Sequence, residues 1–325
     1  MILQPICDDQ LIVDDHALRY APYGQLSITI GSDQCAYWRG LPIAWNGTHV
    51  GYDSGILIQS KLSDDNCRMT ESRIILTKEQ ESSDMLHQII GIEDPTHDEL
   101  AMGVPAIFYT QVFLKENPTP DRWADTNLAY RLLNKAGLSK PTVFLSSQEI
   151  SEAFGRHCGM VKEAEPISIR GKSFILFEYG CKRQSTYIDK FGRRRSSCSN
   201  IAYCQINGKN IRTLLNAETD GVQDYSTAGK QFIGPDGEHY LAFNRKQNEI
   251  FSVWLGKLSL EDGSLVLTPL MELIEGPHTE QGGYGPGKQL ISFASCVLYD
   301  ESKRLLSVFY HVNDAILRKR TILLS

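Results

Sequence analysis

Apolar and polar residues alternate in short runs along most of the chain, the pattern of half-buried β-strands. Leu26–Ile30, Cys35–Arg39, Gly55–Ser60 and Arg73–Thr77 form a first set of four, with turns at Gly31-Ser32-Asp33 and around Ser63–Asn66. Leu86–Ile90, Val104–Tyr109, Leu128–Leu133 and Thr142–Leu145 form a second set, the polar stretch Glu93–Glu99 reading as a connection between its first two members. A third set contains a hairpin, Glu165–Gly180, turned by Arg170-Gly171-Lys172, and continues through Ile201–Gln205 and Ile211–Leu215. A fourth runs through Phe232–Arg245, Ile250–Leu255 and Leu265–Ile274, and a fifth through Cys296–Tyr310, Ala315–Arg318 and Thr321–Leu324. Helical spacing is rare; Ser147–Phe154, capped by Ser146 or Ser147, is the best helix.

The hairpin outline recurs at Lys230–Arg245 and Ser295–His311, so the chain reads as repeats with a period of about 65 residues. Five units of about four antiparallel strands predict an all-β, five-bladed β-propeller, because radial packing of four-stranded sheets buries both faces of each blade. The expected blades span residues 19–79, 80–147, 148–217, 218–275 and 276–325 of a single domain covering 1–325. The last is short of strands, and the N-terminal segment is expected to supply its missing edge.

Composition narrows the class. A 325-residue chain with 42% hydrophobic content supports a large core, and a formal charge of -6 provides no basic field for nucleic acid or an anionic membrane. Neither an N-terminal signal pattern nor a run of about 18 apolar residues is present, so the expectation is a soluble, cytoplasmic protein without a membrane partner. The eight cysteines are scattered without Cys-x-x-Cys or Cys/His spacing and read as reduced core residues; no metal or cofactor is expected.

In a propeller the residues leading each innermost strand converge on a central funnel. Those positions hold Arg19, Tyr23 and Gln25; Asp98 and Glu99; Glu163 and Glu165; Asp224 and Tyr225; and Gln289, Ser292 and Ser295. Acidic residues thus lead three consecutive units. Three carboxylates about one funnel can divide into a general acid, a base or nucleophile, and a group that tunes the acid, as glycosidic cleavage requires. Any one of them, read alone, is more simply a solvated loop charge. Trp38, Trp45, Tyr52, Tyr179 and Tyr310 offer faces for sugar stacking, although most propeller aromatics pack between blades.

Glu165-Pro166, the Gly turn and Phe174–Phe177 resemble the carboxylate-proline hairpin of five-bladed propeller glycoside hydrolases such as arabinanases, xylosidases and invertases. Ser295–His311 is similar to their last-blade hairpin, and Glu275-Gly276-Pro277 has the wording of their acid-bearing segment, here between the fourth and fifth units. The chain departs from the family in having no Asp-Pro ahead of the first unit's inner strand. The resemblance implies a small glycan or glycoside as substrate. The funnel positions give Glu165, with Asp98 and Asp224 as partners, as the expected catalytic carboxylates; Arg39, Trp38, Tyr179, His311 and Arg245 are the expected substrate contacts, His311 on the resemblance alone. Sialidases are a lesser resemblance, through the outer-strand turns Ser63–Asn66 and Ser259–Gly263 and an arginine set of Arg19, Arg39 and Arg245.

Lys182-Arg183 to Arg193–Arg195 is a basic segment with Tyr187 and Phe191 interleaved, suited to an anion or simply to solvent. Two further readings stand beside a glycosidase: a non-catalytic propeller that binds a glycan or a protein, and a propeller enzyme with non-hydrolytic chemistry.

Overall fold

The computed structural model describes residues 2–43, 54–84, 88–99, 102–119, 122–135, 137–189, 192, 194–207, 210–276 and 290–325. Trp45, Tyr52, Phe191, Arg193, Pro277 and Gln289 lie outside them.

β1 (Leu3–Gln10) and β2 (Ile12–Val13) open the chain, followed by α1 (Asp15–Tyr20). β3 (Gly24–Ile30), β4 (Cys35–Leu41), β5 (Ile56–Leu62) and β6 (Arg68–Leu76) form an antiparallel sheet, to whose edge β2 adds in parallel. After α2 (Lys78–Asp84), β7 (Ile89–Asp98), β8 (Ala106–Thr119) and β9 (Arg122–Asn134) build the second sheet, with β10 (Gly137–Leu138) and β11 (Thr142–Ser146) paired on β9. α3 (Ser147–Phe154) leads into the third: β12 (Cys158–Ile169), β13 (Lys172–Ile188), β14 (Arg194–Gln205) and β15 (Arg212–Leu215). β16 (Asp224–Thr227), β17 (Phe232–Ile233), β18 (His239–Gln247), β19 (Ile250–Glu261) and β20 (Ser264–Ile274) come next, then β21 (Leu290–Asp300), β22 (Leu305–Val312) and β23 (Ile316–Leu324). These last two sets join as one nine-stranded sheet through the short parallel pairing of Ile250 with Leu290 and Phe251 with Ile291.

β1 pairs antiparallel with β23 from Leu3↔Leu324 to Gln10↔Arg318, so the N-terminus supplies the last set's outer edge. Asp8 fixes that seam. It accepts from Tyr310 Oη at 2.8 Å, Arg318 Nε at 2.9 Å and Arg320 Nε at 3.0 Å. α3 begins as its sequence dictates: Ser146 accepts from the Glu149 N–H while Glu149 reaches back to the Ser146 N–H, and Gly155 closes the helix at φ 60°.

The leading strands β3, β7, β12, β16 and β21 surround a common centre, and hydrogen bonds cross every junction between successive sets. Thr29 Oγ1 accepts from His97 N (3.1 Å), Thr126 Oγ1 donates to Val161 O (2.7 Å), and Thr227 Oγ1 donates to Glu163 O (2.9 Å). Asn244 Nδ2 donates to Ala294 O (2.9 Å), and Ser295 Oγ accepts from Ile28 N (2.7 Å), which closes the circuit. Apolar clusters fill the wedges between sets, the largest around Phe108, Leu176, Phe177 and Phe243.

One expected connection is a strand. Glu93–Asp98 continues β7 instead of linking two strands. Asp94, Pro95 and Thr96 border a narrow passage from a bulged backbone, so polar residues stand where an ordinary strand would be apolar. The fourth set likewise starts earlier than the hairpin at Phe232, with β16 as its leading strand.

Candidate active site

Four leading strands carry a β-bulge at the same level. Register shifts fall between Leu26 and Ile28, Glu93 and Thr96, Lys162 and Glu165, and Ala294 and Cys296. In three of them the bulged residue has a left-handed backbone: Ser27 (φ 32°), Asp94 (φ 48°) and Glu163 (φ 55°). Such conformations cost non-glycine residues of order 1 kcal/mol each and persist where the surrounding structure enforces them. A bulge turns a side chain out of the pleat, here toward the centre. In the fourth set Gly229 (φ 122°) occupies the corresponding place; a Cβ there would lie 2.8 Å from Val297 N.

These residues line one passage. Ser27, Asp94, Glu163, Glu165, Thr227, Gly229, Phe293 and Ser295 surround its narrow part. It widens into a funnel of about 180 Å³ bordered by Arg39, Lys162, Glu178, Phe251, His311 and Asp314.

The funnel is dense in charge. Arg39 Nη2 donates to Glu93 Oε1 at 2.6 Å and Arg39 Nη1 lies 3.9 Å from Asp94 Oδ1, while Lys162 Nζ sits 3.4 Å from Glu93 Oε2. Ser27 Oγ donates to Asp94 Oδ1 at 2.6 Å. His311 Nε2 is 3.0 Å from Asp314 Oδ1, its ring stacks on Phe293 with centroids 5.3 Å apart, and its buried Nδ1 has no hydrogen-bond partner among the described residues. Phe251 packs edge-on against Phe293 at 5.5 Å, so the two rings form an apolar wall beside the charged one.

Glu163 and Glu178 are buried acids of one sheet, the Glu178 charge acting on Glu163. Burial, then the Glu178 and Asp94 carboxylates, hold Glu163 well above the usual carboxylate range. Burial also raises Glu178, with Asp224 adding to it and Lys162 opposing. Ser226 hydrogen-bonds both, donating to Glu163 Oε2. Each carboxyl, buried beside other acids, is therefore harder to ionise than a free one. Burial disfavours the Lys162 charge, but Glu93, Asp94, Glu178 and Glu163 outweigh it and keep the ammonium protonated. Deeper in the passage, burial pushes Glu165 up to about 8, Lys230 opposing and Asp98 adding; its Oε1 has no hydrogen-bond partner among the described residues.

The sequence-derived candidates divide by position. Arg39 and His311 border the funnel and Glu165 lies beneath it. Asp98, at the far end of β7, accepts from Met102 N at 2.9 Å. Asp224 faces a neighbouring cleft, accepts from Ser199 N at 2.9 Å and pairs with Lys246 at 3.4 Å. Trp38 is wholly buried in an apolar cluster, its Nε1 donating to Ser60 Oγ at 2.9 Å, so no face of the indole reaches the funnel. Tyr179 is buried too, stacked on Phe154 and hydrogen-bonded to Thr213 at 2.9 Å. Arg245 lies over the Trp254 ring, 4.5 Å from its centroid. Asp94, Lys162, Glu178, Phe251 and Phe293 escaped selection. The signal for Asp94 was the repeat itself: it lies 67 residues after Ser27, its hydrogen-bond partner.

No group of three or more His, Cys, Asp or Glu residues poised to hold a metal ion occurs among the described residues. Nor is any helix among them long and apolar enough to cross a membrane.

No family model matches the chain, and no curated protein does. Solved structures do. A mannose phosphorylase from Leishmania mexicana in complex with phosphate ion aligns over 98% of this chain and 89% of its own, at 9% identity and a TM-score of 0.56. A GH130 protein, described in work on hydrolases that target β-1,2 mannosidic linkages in Candida mannan, covers 93% and 85% at 12% identity and a TM-score of 0.56. The endo-arabinase of Bacteroides thetaiotaomicron covers 97% of both chains at 14% identity and a TM-score of 0.52. The fold is that of the propeller glycosidases. At these identities the likeness is one of fold, in keeping with the resemblance found in the hairpin segments.

Proposed function

We propose that residues 1–325 form one five-bladed propeller, with blades led by β3, β7, β12, β16 and β21, and that it is a carbohydrate-active enzyme cleaving a glycosidic bond in a small glycan or glycoside. The observation that carries this reading is the buried Glu163 carboxyl, set in the passage by the bulge of β12 and raised by burial and by the Glu178 and Asp94 charges. A carboxyl that stays protonated at neutral pH is what a leaving glycosidic oxygen needs as general acid. Glu163 is the donor in this scheme, because the bulge turns it into the passage. The Glu178 charge raises Glu163, and Asp224 raises Glu178 in turn. Asp94, oriented by Ser27 and beside Arg39, is the carboxylate that activates water or attacks the sugar. Glu165, raised in part by Asp98, holds a second proton below the pair. Arg39 and His311 contact sugar hydroxyls, and Phe251 and Phe293 present the apolar wall a pyranose ring stacks on.

Hydrolysis is favoured over phosphorolysis by the charge inventory. Arg39 and Lys162 are both engaged with Glu93, and Asp94, Glu163, Glu178 and Asp314 add further acid groups around them. A phosphate dianion there would meet more carboxyls than cations.

The test is a screen of aryl glycosides and natural oligosaccharides, with and without inorganic phosphate, beside Glu163→Gln. Sugar release that needs no phosphate and disappears in the variant supports the reading. Release only with phosphate replaces hydrolysis by phosphorolysis. A sugar that raises the melting temperature without being cleaved leaves a glycan-binding propeller.

A further inference from the structure

Away from the funnel, three cysteines distant in sequence are brought side by side. Cys158 on β12 is the register partner of Cys181 on β13, which is in turn the partner of Cys198 on β14. All eight cysteines are thiols in this structure, but the Cys181 and Cys198 sulfurs lie only 3.9 Å apart. Cross-strand partners already have a Cα separation suited to a disulfide, and the remaining approach to about 2.05 Å needs side-chain rotation only. The two thiols sit at the floor of a cleft of about 790 Å³ that Arg156, Met160, Lys182 and Ser199 also border, which admits a small molecule.

The surroundings make one sulfur a nucleophile. Cys181 is held at about 7, first by its hydrogen bond with Cys198, against burial, then by the Arg156 charge and the Asn200 amide, Glu218 opposing. Asn200 Nδ2 donates to Cys181 Sγ at 3.2 Å, and its Oδ1 accepts from Ala217 N at 2.8 Å, so the amide cannot turn away cheaply. Burial instead drives Cys204 and Cys296 up to about 12. Cys198 rises because it donates to Cys181, then through burial.

We propose that Cys181 and Cys198 are a peroxide-sensitive dithiol, Cys181 the attacking thiolate and Cys198 the resolving thiol. The Cys181 sulfur attacks the outer oxygen of a hydroperoxide; the O–O bond breaks, the alcohol (water, from hydrogen peroxide) leaves with a proton, and Cys181 becomes a sulfenic acid. Cys198 then displaces the sulfenic oxygen as water and the S–S bond forms. Two thiols and one hydroperoxide give a disulfide, an alcohol and water, the two electrons passing from sulfur to peroxide oxygen. The disulfide would tie β13 to β14 three residues from Glu178 and next to Ser199, the strand segment that holds the funnel's acid pair. The proposal does not depend on what the funnel cleaves.

The experiment treats the reduced full-length protein with stoichiometric hydrogen peroxide and reads intact mass and a peptide map. Loss of two hydrogens without added oxygen, and a Cys181–Cys198 cross-linked peptide, are expected. Cys198→Ala should stop at a Cys181 sulfenic acid that dimedone captures, and Cys181→Ala should react at least roughly tenfold more slowly, as expected once an ordinary thiol near 8.5 must react. Wild-type alkylation by iodoacetamide, which needs no variant, should first occur at Cys181 with a midpoint near 7. Eight thiols still free after peroxide, a cross-link between other cysteines, or a Cys181 alkylation midpoint at 8.5 or above would each overturn the proposal.

Discussion

Glu163 and Glu178, on adjacent strands of one sheet, are joined through the hydroxyl of Ser226 from the next set. Three elements thus meet at one hydroxyl. The left-handed backbone at Glu163 that makes the meeting possible is the kind of local strain a fold retains at a working site.

Removing the Glu163 carboxyl should remove the chemistry. Glu163→Gln is expected to lower kcat by roughly 10²- to 10⁴-fold, the span typical for loss of a general acid. The melting temperature should hold or rise, since a neutral amide replaces a carboxyl whose ionisation burial opposes. Steady-state kinetics beside thermal unfolding separates the two effects.

Ser226→Ala should act on pH dependence. The hydroxyl favours the ionised carboxylates, so its loss raises both acids further and moves the alkaline limb of the rate profile upward. A stability cost of about 1 kcal/mol accompanies the lost hydrogen bond. The pH–rate profile of the variant against wild type checks the direction.

Glu165 makes stability itself depend on pH. Its folded value near 8 exceeds the unfolded value, so the native state holds a proton that the unfolded chain has released between about pH 4.5 and 8. The stabilisation is complete below pH 4.5 and declines as pH rises through 8. Glu165→Gln should flatten this slope, seen as a smaller fall in denaturant midpoint between pH 5 and 8.5.

Much of the architecture is legible in the sequence because the blades repeat. Alternation marks most of the strands, and Ser146 with Glu149 marks the start of α3. What escapes is what the bulges do. Pro95 and Thr96 look like loop residues because this part of β7 lines the passage, and that appearance concealed Asp94. Glu165 drew attention through Glu165-Pro166, although the register shift between Lys162 and Glu165 is what turns Glu163 into the passage. Trp38 and Tyr179 illustrate the opposite limit: an aromatic side chain on a strand reads alike whether it faces a funnel or a neighbouring sheet. The pairing of Cys181 with Cys198 depends on the register of a long hairpin, which no local spacing reveals.

The aromatic assignments can be separated by measurement. Phe293→Ala should raise KM by roughly five- to tenfold, about 1 kcal/mol of lost apolar contact, with little change in melting temperature. Trp38→Phe should leave KM unchanged and lower stability by about 1–3 kcal/mol, because Ser60 loses its indole donor inside the core.

Arg39 is expected to matter to folding as well as binding. Arg39→Met leaves Glu93, 1% exposed, without its guanidinium, and unpairing a buried ion pair costs roughly 3–5 kcal/mol. Arg39→Met/Glu93→Gln should recover most of that in a denaturant titration.

The most direct measurement is product release from a glycoside panel by the wild type, Glu163→Gln and Trp38→Phe under identical conditions. A glycosidase centred on Glu163 predicts turnover by the wild type and Trp38→Phe and a rate lower by roughly 10²- to 10⁴-fold in Glu163→Gln. Turnover that survives in Glu163→Gln at the wild-type rate would contradict the placement of the acid in the bulge of β12.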